Sequence, residues 1–319
     1  MKQTELWIGG KLVGSSSGEY FDDLNPSDRK VIARVAKGTS ADIGVAVRAA
    51  KDAYQKYKDS QAKEREKILS DAASIFERDR EEYLNLLIDE VGSPIMKASF
   101  EVDYCINAFR AAAGVPRRLT GETMPLDRPG AFGFSIREPV GVVACITPFN
   151  VPLLKNAKQI AMVIATGNTS VLLPSEFATQ ITVKFAETLH EAGLPPGVFN
   201  FVTGDPFEIG DTLTAHPDIS AINFCGSPRI GKHVAEIAAK GLKPVTLELG
   251  GKNPLIILDD ADLDKALDAA AMGIFFFQGQ ACMASSRIIL QKGIAEDFIP
   301  AFKKIAREIK VGDLSDPET

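Results

Sequence analysis

The sequence predicts an α/β fold: a parallel sheet with helices on both faces, a protruding β-hairpin arm, and the incomplete start of a second α/β region. Three observations carry this. From residue 139 short apolar strands alternate with helical segments, as in "VGVVACI" then "PLLKNAKQIAMVIAT", and "TSVLL" then "ATQITVKFAETLHEAG". Residues 121–138 hold a Pro129-Gly130 turn followed by Phe132, Phe134 and Ile136 at strand spacing. After Asp259 a fresh helix-strand-helix pattern begins and runs to Thr319.

The elements follow in order. "MKQTELWIGGKLVG" reads as a hairpin turning at Gly9-Gly10, without the long apolar core of a secretory leader. The rest of the first 120 residues reads as mostly helical. "TSADIGVAVRAAKDAYQKY" opens on a capping hydroxyl and repeats Ile43, Val47, Ala50 and Tyr54 on one face. Two amphipathic helices then run to Gly92, and another spans about Ile95 to Ala113. Past the hairpin, "GVFNFVT" and "ISAINF" continue the alternation, followed by "KPVTLEL" and "PLIIL". Ligands of such sheets sit beyond the carboxyl ends of the strands. The residues to watch are therefore 147–150, 174–176, Gly204, Gly226-Ser227 and 248–251.

Bulk properties exclude several functions. The net charge is −6 and the basic residues are scattered, which argues against nucleic acid and against anionic membranes. No apolar run is long enough for a membrane helix. Cys105, Cys145, Cys225 and Cys282 form no C-x-x-C pair, so neither structural zinc nor a disulfide framework is expected. Reduced thiols and a cytoplasmic setting follow, with no metal.

"NFCGSPRIGKH" comes near the phosphate loop of an ATPase, with Gly226, Gly231 and Lys232. His233 stands where that loop needs Ser or Thr, and Pro228 removes a cradling N–H. What remains is a glycine turn, Ser227 and a helix N-terminus, which suits a pyrophosphate or serves simply as a β-α turn. Cys282, in "QGQACMASSR", lies in a polar turn, whereas the other three cysteines sit in apolar segments. A thiolate there is a candidate nucleophile. Glu248, at the end of "VTLEL", is either a rim carboxylate paired to a lysine or a general base with a raised pKa. Asn150 either caps the helix that follows or donates to an oxyanion.

The motifs "ITPFNVPLL", "ATGNTSVLLPSE", "NFCGSPRIG", "LELGGKNP" and "FFQGQACMASSR", in this order, closely resemble the NAD(P)-dependent aldehyde dehydrogenase superfamily. "TPFNVPL" resembles the branch that oxidises benzaldehyde, salicylaldehyde or vanillin. The resemblance implies a Rossmann-like dinucleotide-binding domain over 1–120 and 139–250, an oligomerisation hairpin over 121–138, and a partial catalytic domain over 251–319. It implies Cys282 as nucleophile, Asn150 as oxyanion donor and Glu248 as the base that hydrolyses a thioester. Ile146, Thr147, Pro148 and Phe149 would line the cofactor groove, with Gly226, Ser227 and Gly231 at the pyrophosphate. Glu176 would bind the adenine ribose and favour NAD over NADP. Leu173 replaces the family's usual lysine, which implies weaker cofactor binding. Lys155 and Lys158 read as solvent-facing, or as partners for a polar or acidic ring substituent.

The resemblance also implies that the chain stops before the family's Glu-x-Phe-Gly-Pro stretch and last strands. Two functions from different classes follow: an NAD-dependent oxidation of an aromatic aldehyde by a homo-oligomer (a dimer or tetramer), or a catalytically inactive remnant that binds nucleotide weakly or associates through its hairpin. A plain thiol esterase is a third, and it leaves the pyrophosphate-type turn unexplained.

Overall fold

The computed structural model describes residues 2–319. The chain opens with β1 (Lys2–Thr4), β2 (Leu6–Ile8) and β3 (Lys11–Val13), the last two forming a hairpin over Gly9-Gly10. Both glycines have positive φ, 64° and 81°, which side-chain-bearing residues adopt at a cost. Next come β4 (Tyr20–Leu24) and β5 (Val31–Ala36), which sequence reading missed in expecting mostly helices here. They lie in a three-stranded sheet ordered β1-β5-β4. Charged residues interrupt both runs, and the long-range pairing of β5 with β1 stabilises what local pattern does not announce.

Four helices follow at the expected places: α1 (Ser40–Tyr57), α2 (Ala62–Arg78), α3 (Arg80–Val91) and α4 (Ile95–Ala113). Thr39 caps α1 in a reciprocal box with Asp42, and Gly92 ends α3 at φ 70°. Before α1 the backbone of Gly38 meets that of Thr203, where an added Cβ would lie 2.5 Å from the Thr203 carbonyl oxygen. The arm is a hairpin of β6 (Thr123–Met124) and β7 (Gly133–Phe134). Phe132, Phe134 and Ile136 stand 71%, 65% and 66% exposed on it.

The main body alternates as predicted: β8 (Val142–Ile146), α5 (Pro152–Ala165), β9 (Thr169–Leu173), α6 (Thr179–Glu191), β10 (Phe199–Phe201), α7 (Pro206–Ala215), β11 (Ile219–Gly226), α8 (Pro228–Lys240) and β12 (Val245–Leu249). The sheet order is β12-β11-β8-β9-β10-β2-β3, with all pairings parallel from β12 to β10. Alternation along each strand feeds two cores. Val143, Cys145 and Leu172 point into one with α2 to α6, while Val142, Ala144, Val171 and Leu173 point into the other with α1, α7 and α8.

The last region holds β13 (Asn253–Ile257), α9 (Leu263–Phe275), β14 (Ser285–Leu290) and α10 (Lys292–Glu308). Among the described residues β13 and β14 pair only with each other, in parallel. Their core is small: Ile257, Leu267, Ala270, Ile294 and Phe298. No described helix is long and apolar enough to cross a membrane.

Candidate active site

Four strand ends and one loop converge. β8 delivers Ile146 and then Thr147, whose hydroxyl donates to Asn156 Oδ1 at 2.9 Å, tying the strand end to α5. Pro148 is half-buried, and Phe149, 40% exposed, meets the Phe177 ring edge-on at 6.5 Å. Asn150 does not cap α5, the bland role open to it: no side chain caps that helix, which starts at Pro152. Its Nδ2 instead donates to the carbonyl of Gln280 at 2.6 Å, two residues before Cys282.

The loop carrying Cys282 follows α9. Phe277 and Gln278 sit in the left-handed region at φ 46° and 52°, a strained pair costing about 1–2 kcal/mol per residue. Phe277 is buried and covered by the Lys97 ammonium, 4.2 Å from the ring centroid. Lys97 itself pairs with Glu101 at 3.1 Å, both fully buried in α4. A second amide pins the loop: Asn253 Nδ2 donates to the Cys282 carbonyl at 3.0 Å. Cys282 is exposed while the other three cysteines are buried, the contrast that their sequence contexts predicted.

Glu248 lies directly across the β11–β12 ladder from Cys225. It pairs with Lys155 at 3.4 Å and with Lys158 at 3.3 Å, both on α5. The Lys155 charge and the Lys158 bond hold its carboxyl below the usual range, so of the two sequence readings the raised pKa gives way to the lysine-paired one. Lys155 is buried rather than solvent-facing. Burial opposes its charge, but Cys225, Glu248 and Cys282 together outweigh this and raise its pKa. Burial raises the Cys225 thiol in turn.

On the opposite flank, Glu176 shares a cleft of about 560 Å³ with Phe149, Phe177 and Gln280. Leu173 is buried in the sheet core. At the end of β11, Gly226 passes so close to the Phe224 ring that a Cβ would come within 2.6 Å. Ser227 then caps α8, accepting from the Ile230 N–H at 3.3 Å. Gly231 lies inside α8, where its missing side chain lets the helix close on Leu249 of β12. Sequence reasoning missed Asn253, Lys97 and the burial of Lys155. The Asn in "GKNP" was the available signal for the first; the others depend on tertiary packing. Among the described residues, no three His, Cys, Asp or Glu side chains are grouped to hold a metal ion.

Residues 12–319 match the aldehyde dehydrogenase family. The chain is 36% identical over 314 residues to a salicylaldehyde dehydrogenase of Pseudomonas putida, covering 98% of this chain and 65% of that protein. A crystal structure of salicylaldehyde dehydrogenase from Pseudomonas putida G7, complexed with salicylaldehyde, superposes with a TM-score of 0.95 at 36% identity, covering 100% of this chain and 66% of the other. Betaine aldehyde dehydrogenase of Staphylococcus aureus, solved with NAD+, gives 0.97 at 34% identity, covering 99% of this chain and 64% of the other. This chain thus spans about 65% of the length of the curated relatives it matches first. On the family match and these likenesses, it belongs to the aldehyde dehydrogenase family.

Proposed function

We propose that this chain carries the machinery for oxidising an aldehyde, most naturally an aromatic one, to its carboxylic acid with NAD. The observation that carries the reading is the pinning of the Cys282 loop by the Asn150 amide at 2.6 Å, with Glu248 and Lys155 on the adjoining strand end and helix. The relatives' aromatic aldehyde substrates support the choice of substrate class.

The residues present fit a dinucleotide. A glycine strand end and the Ser227-capped start of α8 offer N–H groups and a positive dipole end to a pyrophosphate. Glu176 offers a carboxylate to ribose hydroxyls, and exposed Phe149 and half-buried Ile146 offer apolar contact. Thr147 and Pro148 shape this strand end, and Gly231 contributes by letting α8 pack close. A carboxylate at Glu176 disfavours a 2′-phosphate, so NAD is preferred to NADP. A bound nicotinamide supplies the hydride acceptor.

The chain's own residues do the rest. Cys282, as thiolate, attacks the aldehyde carbon. The Asn150 amide keeps one N–H beyond that spent on Gln280, and with the Cys282 N–H it donates to the oxyanion. Glu248, carboxylate in this structure, takes a proton from the water that hydrolyses the Cys282 thioester. We assign 1–120 and 139–250 to cofactor binding, 121–138 to subunit association and 251–319 to catalysis.

The test mixes the protein with NAD and benzaldehyde and follows NADH absorbance. Cys282→Ala is expected to abolish NADH formation, and Glu248→Gln to leave at most one turnover. Undiminished NADH formation by Cys282→Ala overturns the reading.

A second reading, association without turnover, is favoured by the exposed aromatic face of the hairpin. Sedimentation velocity of the protein against Phe132→Ser/Phe134→Ser separates the two: a concentration-dependent oligomer lost in the variant, with no NADH formed by the parent, supports this one alone.

A further inference from the structure

Two ammonium groups face one carboxylate beside the thiol. Lys155 and Lys158 leave the same side of α5, three residues apart, and both reach Glu248. Their separations, 3.4 and 3.3 Å, are long for charge-assisted bonds, which close to about 2.7–2.9 Å when one partner is well seated. Glu248 is divided between them. The Lys155 side chain is only 7% exposed, so it has little access to water as a substitute partner. Its other neighbours are Cys282 and Cys225, whose thiol burial raises. Lys155, Lys158 and Glu248 together hold one positive charge in excess, next to the residue that takes the substrate. Neutralising Glu248 would need only one lysine. Half-exposed Lys158 would suffice for that, so keeping Lys155 charged and buried beside it is costly unless a further anion completes the set.

We propose that Lys155 and Lys158 form an anion subsite that selects aldehydes bearing a negatively charged oxygen, a carboxylate or an ionised phenol. The proposal rests on the reading that Cys282 receives an aldehyde. When the substrate's anionic oxygen engages the lysines, it competes with Glu248 for them. The carboxylate is released from its ion pairs and its basicity rises. Substrate binding and freeing of the base are then one event, and a neutral aldehyde leaves Glu248 tethered.

The first measurement needs neither cofactor nor turnover. Cys282 is alkylated with iodoacetate and, in parallel, with iodoacetamide, and the modified peptide is quantified by mass spectrometry. Cys282 is exposed and the other thiols are buried, so it reacts first. The iodoacetate-to-iodoacetamide rate ratio is expected to fall about tenfold in Lys155→Met/Lys158→Met, and about threefold in Lys158→Met alone. Lys155→Arg should restore most of the ratio relative to Lys155→Met. An unchanged ratio in a folded Lys158→Met overturns the proposal, and this half-exposed position carries the test if Lys155→Met does not fold.

The second measurement is kcat/KM with NAD for 3-formylbenzoate against methyl 3-formylbenzoate, and for salicylaldehyde against 2-methoxybenzaldehyde. A preference for the charged member that falls in Lys158→Met supports the subsite, and the pair showing it tells carboxylate from phenol. No preference in either pair refutes it. If no aldehyde yields NADH while the alkylation ratio behaves as expected, the oxidation reading fails and the subsite stands. NADH formation with both ratios unmoved by the lysine variants has the opposite meaning.

Discussion

Lys97 and Glu101 supply the sharpest test of how the loop is supported. The pair is fully buried, 1% and 0% exposed, at 3.1 Å. Neither Glu101 oxygen has a well-formed hydrogen bond among the described residues, although the Leu153 N–H also favours its charged form. Burial pushes the Glu101 carboxyl up to about 6 and lowers Lys97, so desolvation opposes both charges. Removing one partner strands the other: Lys97→Met is expected to cost about 3–5 kcal/mol at pH 8. Lys97→Met/Glu101→Leu removes both charges and should fall within about 1 kcal/mol of the parent, or exceed it. The pH sign follows from the raised carboxyl. Its contribution is present below the ordinary value of 4.5 and is lost as pH rises through about 6. The Lys97→Met deficit should therefore shrink by about 1–3 kcal/mol between pH 8 and pH 5, as Glu101 takes up a proton. Urea unfolding followed by circular dichroism at both pH values measures all of this. A double variant as unstable as Lys97→Met, or a single-variant cost under about 1 kcal/mol at pH 8, refutes the reasoning.

Two further outcomes follow from the same physics. Asp23, raised to about 6 first by burial, lies against buried Glu90, whose oxygens accept from the Gln180 and Ile181 N–H groups at 2.6 and 2.9 Å. The stability this carboxyl brings is present below its ordinary 3.8 and lost as pH rises through about 6. Asp23→Asn should therefore gain on the parent as pH rises, by up to about 3 kcal/mol at pH 8, and melting curves at pH 4.5 and 8 check it. Gly38→Ala forces a Cβ onto a backbone carbonyl that cannot swing aside. A loss of about 1–3 kcal/mol in urea unfolding is expected.

What could be read from sequence was what local pattern encodes. Helices α1 to α4 announced themselves through one-sided apolar spacing, the Thr39 cap and the Gly92 stop. The alternation from β8 to β12 fixed the parallel sheet, and the strand ends it singled out are where Asn150 and Glu248 lie. β4 and β5 escaped because Asp22, Asp23 and Arg34 break their apolar pattern, and the pairing of β5 with distant β1 and with β4 stabilises them. The electrostatics of the candidate site were also hidden. Glu248 finds Lys155 and Lys158 across 93 and 90 residues, a distance over which no local signal acts. The buried Lys97 beneath Phe277 was likewise invisible, since its neighbours in sequence read as an ordinary helix face.

The small core beneath β13 and β14 has a consequence for amide exchange. Five buried side chains hold that region together, whereas the two faces of the large sheet draw on far more. Opening free energies scale with such support. In deuterium-labelling experiments the amides of β14 and α10 should therefore trade protons well before those of β8 and β9. The Cys282 loop thus bridges the two regimes: Phe277 and the Asn150 amide tie its start to the part that opens last, and its far end leads into the part that opens first.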